Sequence, residues 1–546
     1  MTKLEQATAA DRRHGARPSV VAEYDAVVVG AGFGGVYAIH RLRQLGLNVI
    51  GLEAGADVGG TWYWNRYPGA RCDVPSLFYS YTWSPELRQE WRWTEKYAAQ
   101  PEILRYAQHV ADRFDLRSLI RFETRVTSAE WDEASQRWTV RTDRGDRITA
   151  AYCVMATGNL SVPNKPDLPG LDRFRGAIYH TGQWPHDEVS FSKLRVAVIG
   201  TGSSGVQAIP LIAKAASRLT VFQRTPNYSV PARNAPLSDA DVAAAEPVIA
   251  KYRESLETPE FGRVPSNAFE APVPEKQVQW ARYQQLWDQG GGGILTAFPN
   301  ILTSEAVNDV ACEFVRDKIR GIVKDKATAD ALSPKDYPLG VKRICIDTDY
   351  FATYNLPHVE LVDLREEPLK TVTETGVETA TRSFALDALV LATGYDAMTG
   401  ALAAMDIRGG DGTSLKDAWA DGPSTYLGLM VSGFPNLFVV TGPGSPSVIG
   451  NVIHACENHV EWITACLDTM RTKGLTRIEP ERDAERSWMA HVADAASRTL
   501  YPKANSWYQG ANIAGKPRVF MPYVGQGYRH RIAQIAQRDY EGFVMR

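Results

Sequence analysis

One hydrophobic pattern occurs twice along the chain and dominates its organisation. Residues 24–29 form a short β-branched run, a glycine-rich turn follows at 30–35, apolar residues then recur at helical spacing, and a second short run ends at residue 52. The same order of strand, turn, helix and strand recurs at 194–223, with its glycine turn at 200–205. This order is typical of Rossmann nucleotide-binding units. About 170 residues separate the two turns, far more than the ~30 residues of one βαβ unit, which predicts two separate nucleotide sites.

The segment that follows the second unit has a different pattern. From about residue 234 to 338 the β-branched runs give way to helical spacing, and strand-like runs return at 359–362, 388–392 and 436–440. The sequence therefore predicts an α/β fold with two Rossmann-like dinucleotide-binding domains and a mostly helical insertion. The predicted limits are 1–23 for a polar N-terminal tail, 24–155 with 390–546 for the first domain, 156–233 with 339–389 for the second domain, and 234–338 for the insertion.

Length and composition narrow the range of functions. The 546 residues include 60 basic and 63 acidic side chains, a net charge of −3, and 44% hydrophobic residues, as in a multidomain globular chain. Without an excess of basic charge, we expect neither a nucleic acid nor an anionic membrane as a partner. Residues 1–16 lack the apolar core of a signal peptide, and no apolar run reaches the about 18 residues of a membrane span. We therefore expect a cytoplasmic protein whose partners are small molecules.

The spacing of cysteines and histidines gives no sign of a metal site. The six cysteines include no CxxC pair, as expected of reduced thiols. The ten histidines form neither an HxxxH nor an HExxH pattern. We therefore expect neither a disulfide framework nor a bound metal.

The first glycine turn predicts a site for a dinucleotide. Gly30 permits a tight turn, Gly32 lets the backbone approach a pyrophosphate, and Gly35 lets the helix and the strand pack closely. Glu53 ends the second strand 23 positions after Gly30, where a carboxylate accepts hydrogen bonds from an adenosine ribose and repels a 2′-phosphate. The site therefore suits FAD or NAD better than NADP. The alternative interpretation of Glu53 is an ordinary solvated glutamate at a strand end.

The second glycine turn predicts a different nucleotide. Its candidate binding residues are Gly200, Gly202, Ser203 and Gly205. The position that corresponds to Glu53 is Gln223, and Arg224 and Thr225 follow it. A guanidinium forms forked, charge-assisted bonds to phosphate, so this site favours NADPH over NADH. Taken alone, Arg224 would equally suit an ordinary surface arginine.

Two longer motifs carry a resemblance to a known family. The residues Phe174, Gly176, His180, Trp184 and Pro185 form the pattern FxGxxxHxxxWP. This pattern resembles the fingerprint of the flavin-dependent Baeyer-Villiger monooxygenases, and residues 59–73 match a second family pattern, GGxWxxxxYPGxxxD. The resemblance covers about residues 24–525. Residues 442–446 and Trp507 make the chain most similar to the group that contains phenylacetone and steroid monooxygenases.

The resemblance implies a reaction and its cofactors. In this family NADPH reduces FAD, O2 adds to the reduced flavin, and the resulting C4a-peroxyflavin attacks a ketone through a Criegee intermediate to give an ester or lactone. Oxidation of sulfides is implied as a side activity. The expected partners are therefore a ketone and O2, with no obligate protein partner evident.

The resemblance also implies roles for individual residues. Arg343 looks like the family's catalytic arginine, whose permanent charge would keep the peroxide anionic, and Asp73 would orient its guanidinium. Lys342 would lie near the NADP phosphate, and Trp507 would fold over the nicotinamide. The residues implied to contact FAD are Thr61, Trp62, Asp73 and Tyr79, and those implied to line the substrate pocket are Ser445, Pro446 and Ser447.

His180 invites assignment as a general base. By resemblance it instead lies in the linker between the two domains, as do the ATG segments at 156–158 and 392–394, which look like the family's domain crossings. We therefore expect His180 to couple domain motion and not to transfer a proton.

Three other functions fit part of the pattern. A flavin monooxygenase that oxidises nitrogen or sulfur shares both Rossmann units, but Trp184, Pro185 and Asp73 favour ketone oxidation. A pyridine nucleotide-disulfide reductase needs a redox cysteine pair, and none stands beside the first unit. A noncatalytic redox sensor that holds FAD and NADP is the third alternative, and the retained Arg343 gives it no support. The sequence leaves open the identity of the ketone, the selectivity, the oligomeric state and the role of the N-terminal tail.

Overall fold

Most of the strands belong to two large sheets. A computed structural model describes residues 21–254 and 264–546. The strands in these ranges are β1 (Val21–Val29), β2 (Val49–Leu52), β3 (Ile120–Arg121), β4 (Val126–Asp132), β5 (Arg137–Thr142), β6 (Arg147–Met155), β7 (Ala177–His180), β8 (Arg195–Ile199), β9 (Arg218–Gln223), β10 (Ser229–Pro231), β11 (Cys345–Asp347), β12 (Val359–Asp363), β13 (Leu369–Thr373), β14 (Gly376–Thr379), β15 (Ser383–Ala385), β16 (Ala388–Leu391), β17 (Asp406–Arg408), β18 (Leu437–Val439), β19 (Ile478–Pro480) and β20 (Phe543–Met545).

Helices pack on both large sheets and fill the insertion. The α-helices in the described ranges are α1 (Phe33–Gln44), α2 (Thr61–Trp64), α3 (Pro85–Glu90), α4 (Gln100–Arg113), α5 (Ser203–Ala215), α6 (Asp239–Glu254), α7 (Lys276–Gln289), α8 (Glu305–Ile322), α9 (Lys326–Ala331), α10 (Tyr350–Thr353), α11 (Gly400–Ala403), α12 (Leu415–Ala418), α13 (Val452–Lys473), α14 (Arg482–Ser497) and α15 (Tyr528–Gln537). Single 3-10 turns include Ser447–Ile449 and Trp507–Gln509.

The first large sheet contains the first glycine turn. Its eight strands run in the order β17-β4-β5-β6-β1-β2-β3, with β18 also paired to β6. β1 is parallel to both of its neighbours, so that Val27 lies between Ile50 and Cys153. Successive residues of β1 enter different cores, with Val28 on the side of α1 and Val27 on the opposite side. Residues 26–29 of β1 are therefore buried on both faces, which explains the unbroken hydrophobic run at the end of the strand.

The second large sheet repeats this arrangement around the second glycine turn. Its five strands are all parallel and run in the order β12-β9-β8-β16-β7. Val198 of β8 lies between Val221 and Val390. Val198 enters the core on the side of α5, while Ala197 enters the core on the other face. Both predicted Rossmann units are present, and β1 begins at Val21, three residues before the predicted first domain.

The insertion is helical, as the spacing predicts. Helices α6 to α9 lie between β10 and β11, and these two short strands pair in parallel, so the chain leaves and re-enters the second domain at one place. Buried Tyr283 and Phe314 of the insertion belong to the same hydrophobic core as Val198. The insertion is therefore packed onto the second domain. Residues 1–20 of the predicted tail and residues 255–263 of the predicted insertion lie outside the described residues.

The C-terminal third completes both sheets. β16 enters the centre of the second sheet, whereas β17 and β18 join the first sheet. α13, which follows β18, packs against α1. Among the described helices, none combines the length and the apolar character needed to cross a membrane. All six cysteines are buried and free.

Gly35 provides a test of the close packing at the first turn. A Cβ at this position would lie 1.8 Å from the carbonyl oxygen of Gly30, so either the turn or α1 must shift. We expect Gly35→Ala to lower the free energy of unfolding by at least about 2 kcal/mol, as for overpacked cores. Urea titration of the purified variant measures this loss.

Gly321 supplies the matched control. It lies in the last turn of α8, and nothing lies within 4 Å of the position that a Cβ would take. Gly321→Ala should leave the free energy of unfolding unchanged or raise it by up to about 1 kcal/mol, because alanine restricts the unfolded chain. Equal stabilities of the two variants would contradict the steric argument.

Candidate active site between two glycine turns

Both glycine turns open onto one large cavity. Its volume is about 1230 Å³, which exceeds the about 300–1,000 Å³ typical of a pocket for one small ligand. Gly32 and Gly202 both line it, and each is the N-cap of a long helix whose first turn has no side-chain cap. Uncapped backbone N–H groups at a helix start are suited to bind a pyrophosphate. The cavity can therefore accept two dinucleotides.

The glycines of both turns have equivalent surroundings. Gly30 and Gly200 have φ values of +102° and +108°, in the region that favours glycine. A Cβ at Gly35 or Gly205 would lie 1.8 or 2.2 Å from the carbonyl oxygen of the first glycine of its own turn. At Gly202, in contrast, the nearest atom would be 3.9 Å away, so the missing side chain leaves space on the cavity side. This is the space that a bound pyrophosphate requires.

Glu53 closes the first turn from the end of β2. Its two carboxylate oxygens accept hydrogen bonds from the backbone N–H groups of Ala31 and Gly55, both at 2.7 Å. Burial raises the pKa of Glu53, and the two backbone bonds oppose that rise. Each oxygen can accept a second hydrogen bond, and Glu53 lines the cavity. The residue therefore fits the ribose of a nucleotide without a 2′-phosphate.

The second turn lacks such a carboxylate. The side chain of Gln223 is buried and bonds to Thr201 and to the backbone oxygen of Ala331. Arg224 is exposed to the cavity, and no other described residue forms a hydrogen bond or an ion pair with its side chain. A free guanidinium at this position suits a phosphate.

Lys342 adds a second positive charge to the same end of the cavity. Its ammonium lies 4.2 Å from the ring centre of Tyr337, and the negative charge of nearby Asp336 also favours the protonated form. Burial lowers the pKa of Lys342, and the charge of nearby Arg224 lowers it further. Because the two cations repel each other, a bound dianionic phosphate would stabilise both.

Arg343 directly follows Lys342, just before β11, and its side chain crosses to the first domain. Its Nε and Nη2 donate to the two oxygens of Asp73 at 2.5 and 2.7 Å, and its Nη1 donates to the carbonyl oxygen of Val448 at 2.6 Å. The Arg343 side chain keeps 29% of its surface accessible and lines the cavity. Burial alone would lower the pKa of Arg343, but the Asp73 carboxylate outweighs burial and raises it. The guanidinium is therefore a fixed, permanent positive charge.

Aromatic residues wall the cavity beside Asp73. Trp62 donates from its indole nitrogen to the hydroxyl of Tyr79 at 3.1 Å, and their rings meet edge to face. The hydroxyl of Tyr67 donates to Gln207 of α5 at 2.8 Å, which joins the two domains. These large, buried rings exclude water from the space next to Arg343.

The C-terminal loop covers the crossing segments. Trp507 and Asn512 line the cavity. The Asn512 amide donates to the backbone oxygen of Tyr395 at 2.6 Å, and Asn164 donates to the backbone oxygen of Asn512 at 3.3 Å. Burial raises the pKa of Tyr508, next to Trp507, to about 12, and the nearby charge of Arg343 opposes that rise. The loop thus contacts both linkers and lies close to the arginine.

The fingerprint residues lie outside the cavity lining. Phe174 is buried under the second sheet, and Trp184 packs against Tyr179. His180 ends β7 and is 1% exposed. Its Nδ1 accepts from the Gly182 N–H at 3.0 Å, and its Nε2 lies 3.3 Å from the Asn164 oxygen. This network assigns the proton to Nε2, and burial lowers the pKa of His180 to about 4.

The structure brings most of the predicted site residues together. Those that line the cavity are Gly30, Gly32, Glu53, Thr61, Trp62, Asp73, Tyr79, Gly200, Gly202, Ser203, Arg224, Thr225, Lys342, Arg343 and Trp507. Those outside its lining are Gly35, Gly205, Phe174, Gly176, His180, Trp184, Pro185, Ser445, Pro446 and Ser447.

The loop predicted for the substrate pocket is oriented differently from the expectation. Ser445 is fully buried and donates to the carbonyl oxygen of Gly442 at 2.7 Å, and Ser447 is 1% exposed. Their hydroxyls satisfy hydrogen bonds within the protein, whereas Val448 and Gly450 of the same loop line the cavity. Asn159, Tyr508 and Val448 were not predicted by sequence reasoning, since no motif or periodicity marks them.

No group of described residues is arranged to hold a metal ion. The residues present fit two nucleotides, one without and one with a 2′-phosphate.

Comparison with known proteins places the chain among oxygenases. Residues 27–238 match a family described as pyridine nucleotide-disulphide oxidoreductase. A Baeyer-Villiger monooxygenase of Pseudooceanicola batsensis is 40% identical over 96% of this chain and 97% of its own length. The structure of an oxidized steroid monooxygenase bound to NADP is 51% identical, with a TM-score of 0.89 over 96% of this chain and 99% of that chain. The structure of OTEMO in complex with FAD and NADP is 41% identical, with a TM-score of 0.91 over 96% and 99%.

His180 generates a prediction about pH and stability. Its pKa in the folded state, about 4, lies below the ordinary histidine pKa of 6.5. The unfolded chain therefore binds the proton more readily, and stability is lost as the pH falls from about 6.5 towards 4. His180→Gln removes this titration. The free energy of unfolding of the unmodified protein, relative to that of the variant, should therefore increase by up to about 3 kcal/mol as the pH is raised from about 4 to 6.5.

Urea titrations of both proteins between pH 4.5 and 7.5 measure this difference. The other histidines are shared by both proteins and cancel in the comparison. A stability difference that stays constant with pH would show that His180 titrates normally.

Proposed function

The chain belongs to the Baeyer-Villiger monooxygenase family, and we propose that Arg343 and Asp73 form the catalytic pair of its reaction. The protein is an NADPH- and FAD-dependent monooxygenase that inserts one oxygen atom of O2 next to a ketone carbonyl to give an ester or a lactone. FAD, when bound, accepts a hydride from NADPH and supplies the activated oxygen. The geometry of the cavity supports the proposed roles of the individual residues.

The proposal assigns FAD to the first glycine turn and NADP to the second. Glu53 supports the first assignment, because its carboxylate would repel a 2′-phosphate. Arg224 and Lys342 support the second, because two cations next to each other need an anion of high charge. The opposite electrostatics of the two ends would prevent the cofactors from exchanging places.

The observation that carries the catalytic proposal is the position of Arg343. Asp73 and Val448 engage three of its five N–H groups, which leaves two, and the side chain still lines the cavity. A donor held in this way needs no rearrangement when negative charge develops at the reacting oxygen. Its raised pKa prevents it from giving up a proton, so it stabilises the charge without neutralising it.

Asp73 has the supporting role. Its two oxygens hold the guanidinium in a forked geometry, which fixes both the distance and the plane of Arg343. The aromatic wall of Trp62 and Tyr79 keeps water away from the same region. In such a dry site, a fixed charge acts more strongly than in water.

For the substrate, we propose aryl, cyclic or otherwise bulky ketones. The support is the 51% identity to the steroid monooxygenase and the apolar Val448 at the cavity wall beside Arg343. A panel of such ketones, analysed for ester and lactone products, identifies the preferred class and provides the assay substrate for the tests below.

Removal of the Arg343 guanidinium tests the catalytic assignment. We expect Arg343→Ala to lower the rate of ester formation by about 10²–10³, the effect of losing one donor at a developing charge. NADPH consumption should continue and yield hydrogen peroxide, because the nucleotide sites remain. The measurement compares ester and peroxide produced per NADPH consumed.

Arg382→Ala is the control for loss of a paired arginine. Arg382 is held by Glu360 and Glu367 on the surface and does not line the cavity. Its removal should leave the ester yield unchanged. Ester formation by Arg343→Ala at the rate of the unmodified enzyme would overturn the proposal.

Arg224 and Lys342 generate a prediction about nucleotide preference. Each charge-assisted bond to a 2′-phosphate contributes about 1.5–3 kcal/mol, so Arg224→Ala or Lys342→Ala should weaken NADPH binding about tenfold to a hundredfold. Binding of NADH should change much less. Titration of both nucleotides and of 2′,5′-ADP measures the difference, and equal losses for NADPH and NADH would show that other residues recognise the 2′-phosphate.

A further inference from the structure

Two residues of the loop beside Arg343 have an unusual backbone conformation. Thr441 and Ser447 have φ values of +58° and +42°, in the left-handed region that L-residues with side chains disfavour. Both are buried, with 2% and 1% of their surface exposed. Neither residue is a glycine, so other contacts must hold the loop in this shape.

Asn159 makes those contacts. Its side-chain nitrogen donates to the hydroxyl of Ser447 at 2.9 Å and to the hydroxyl of Thr441 at 3.2 Å. Its backbone oxygen accepts from the N–H of Met398 at 2.9 Å, and Met398 Sδ in turn lies 3.5 Å from the Ser447 hydroxyl. One amide therefore ties together the two left-handed residues at opposite ends of the loop.

The same loop supplies a partner of the catalytic arginine. Val448 directly follows Ser447, and its carbonyl oxygen accepts from Arg343 Nη1 at 2.6 Å. A change of φ at Ser447 would redirect the chain and remove this acceptor. The Arg343 guanidinium would then keep its two hydrogen bonds to Asp73 but lose the one that holds Nη1.

We propose that Asn159 is a positioning residue, which directs the Val448 carbonyl toward Arg343 by holding Ser447 in its left-handed conformation. This inference rests on the proposed catalytic role of Arg343. Asn159 acts through the loop and through Arg343, and the chemistry at the reacting oxygen remains that of Arg343.

The first test removes the amide. We expect Asn159→Ala to lower the fraction of consumed NADPH that appears as ester by about two- to tenfold, with hydrogen peroxide making up the difference. This is the effect of losing one hydrogen bond, the one between Arg343 and the Val448 carbonyl. Hydrogen exchange of backbone amides in residues 442–450 of the holoenzyme should become faster. Unchanged ester yield together with unchanged exchange would overturn the proposal.

The second test separates the backbone conformation from the hydrogen bond. In the Asn159→Ala background, Ser447→Gly and Ser447→Ala both remove the hydroxyl, but only glycine adopts a positive φ without strain. We expect Ser447→Gly to recover part of the lost ester yield and Ser447→Ala to recover none. Should the two double variants behave alike, φ at Ser447 would not be the quantity that Asn159 controls.

If Asn159→Ala does not fold, the two Ser447 substitutions in the otherwise unmodified chain provide the same comparison. Ser447→Ala should reproduce the loss, and Ser447→Gly should keep more of the ester yield. The reverse order would overturn the proposal.

Asn300→Ala controls for general destabilisation by loss of a buried amide. Asn300 is 2% exposed, donates to the backbone oxygens of Ala271 and Pro272, and does not line the cavity. Its removal should lower the melting temperature without changing the ester yield per NADPH.

Arg343→Ala, measured alongside Asn159→Ala, distinguishes failure of the catalytic assignment from failure of the positioning role. If Arg343→Ala keeps its ester yield, the catalytic assignment fails and the positioning role fails with it. If Arg343→Ala loses ester formation while Asn159→Ala keeps both yield and exchange rates, only the positioning role fails.

Discussion

The ion pair between Arg343 and Asp73 is the interaction on which the organisation of the site depends. Its two residues are 270 positions apart, one in the first domain and the other just after the helical insertion, where the chain returns to the second domain. The pair therefore forms only when the two domains and the insertion are in place. Because Asp73 raises the pKa of Arg343 against the effect of burial, a full positive charge can persist in a cavity walled by aromatic rings. A charge placed there without its carboxylate would carry a large desolvation cost.

The two nucleotide sites share the same backbone geometry but carry opposite charges. In each turn the first glycine lies against the alanine carbonyl of an ATG segment, Ala156 for Gly30 and Ala392 for Gly200. A Cβ on either glycine would come within 2.5 Å of that oxygen, so the crossing segments and the turns must pack as units. What differs is the residue at the end of the following strand. In the proposed assignment, a carboxylate at one site and two cations at the other determine which nucleotide each turn accepts.

The features predicted from sequence were those with a local physical cause. β1 and β8 have both faces buried, which requires continuous hydrophobic runs, and the glycine turns follow them directly. The pairs β10 with β11 and β19 with β20 have only three residues per strand, too few to produce a recognisable alternation. They form because distant parts of the chain meet.

At the site too, residues fixed by local spacing could be predicted, whereas contacts between distant parts of the chain could not. Glu53 and Arg224 stand at a fixed distance from a glycine turn, so their chemistry could be predicted from position. The Arg343–Asp73 pair could be expected only through a family resemblance, since no periodicity connects residues so far apart. The positive φ of Ser447 could not be predicted at all, because serine rarely adopts a left-handed conformation and no sequence pattern indicates one here. The Ser447 hydroxyl accepts a hydrogen bond from Asn159, and Ser447 lies outside the cavity lining, whereas the resemblance had placed it in the substrate pocket.

The fingerprint motif shows how a recognisable sequence can serve a reaction without touching it. His180 lies between Asn164 of one linker and Thr393 of the other, and Asn164 in turn donates to the backbone of Asn512 in the C-terminal loop. Only the neutral imidazole fits this position, because its Nδ1 accepts a backbone hydrogen bond. Burial keeps the ring neutral by lowering its pKa to about 4. A residue with these properties is poorly suited to exchange protons and well suited to hold two linkers together. We therefore propose that the motif helps to preserve the relative placement of the two domains, which brings Arg343 to Asp73.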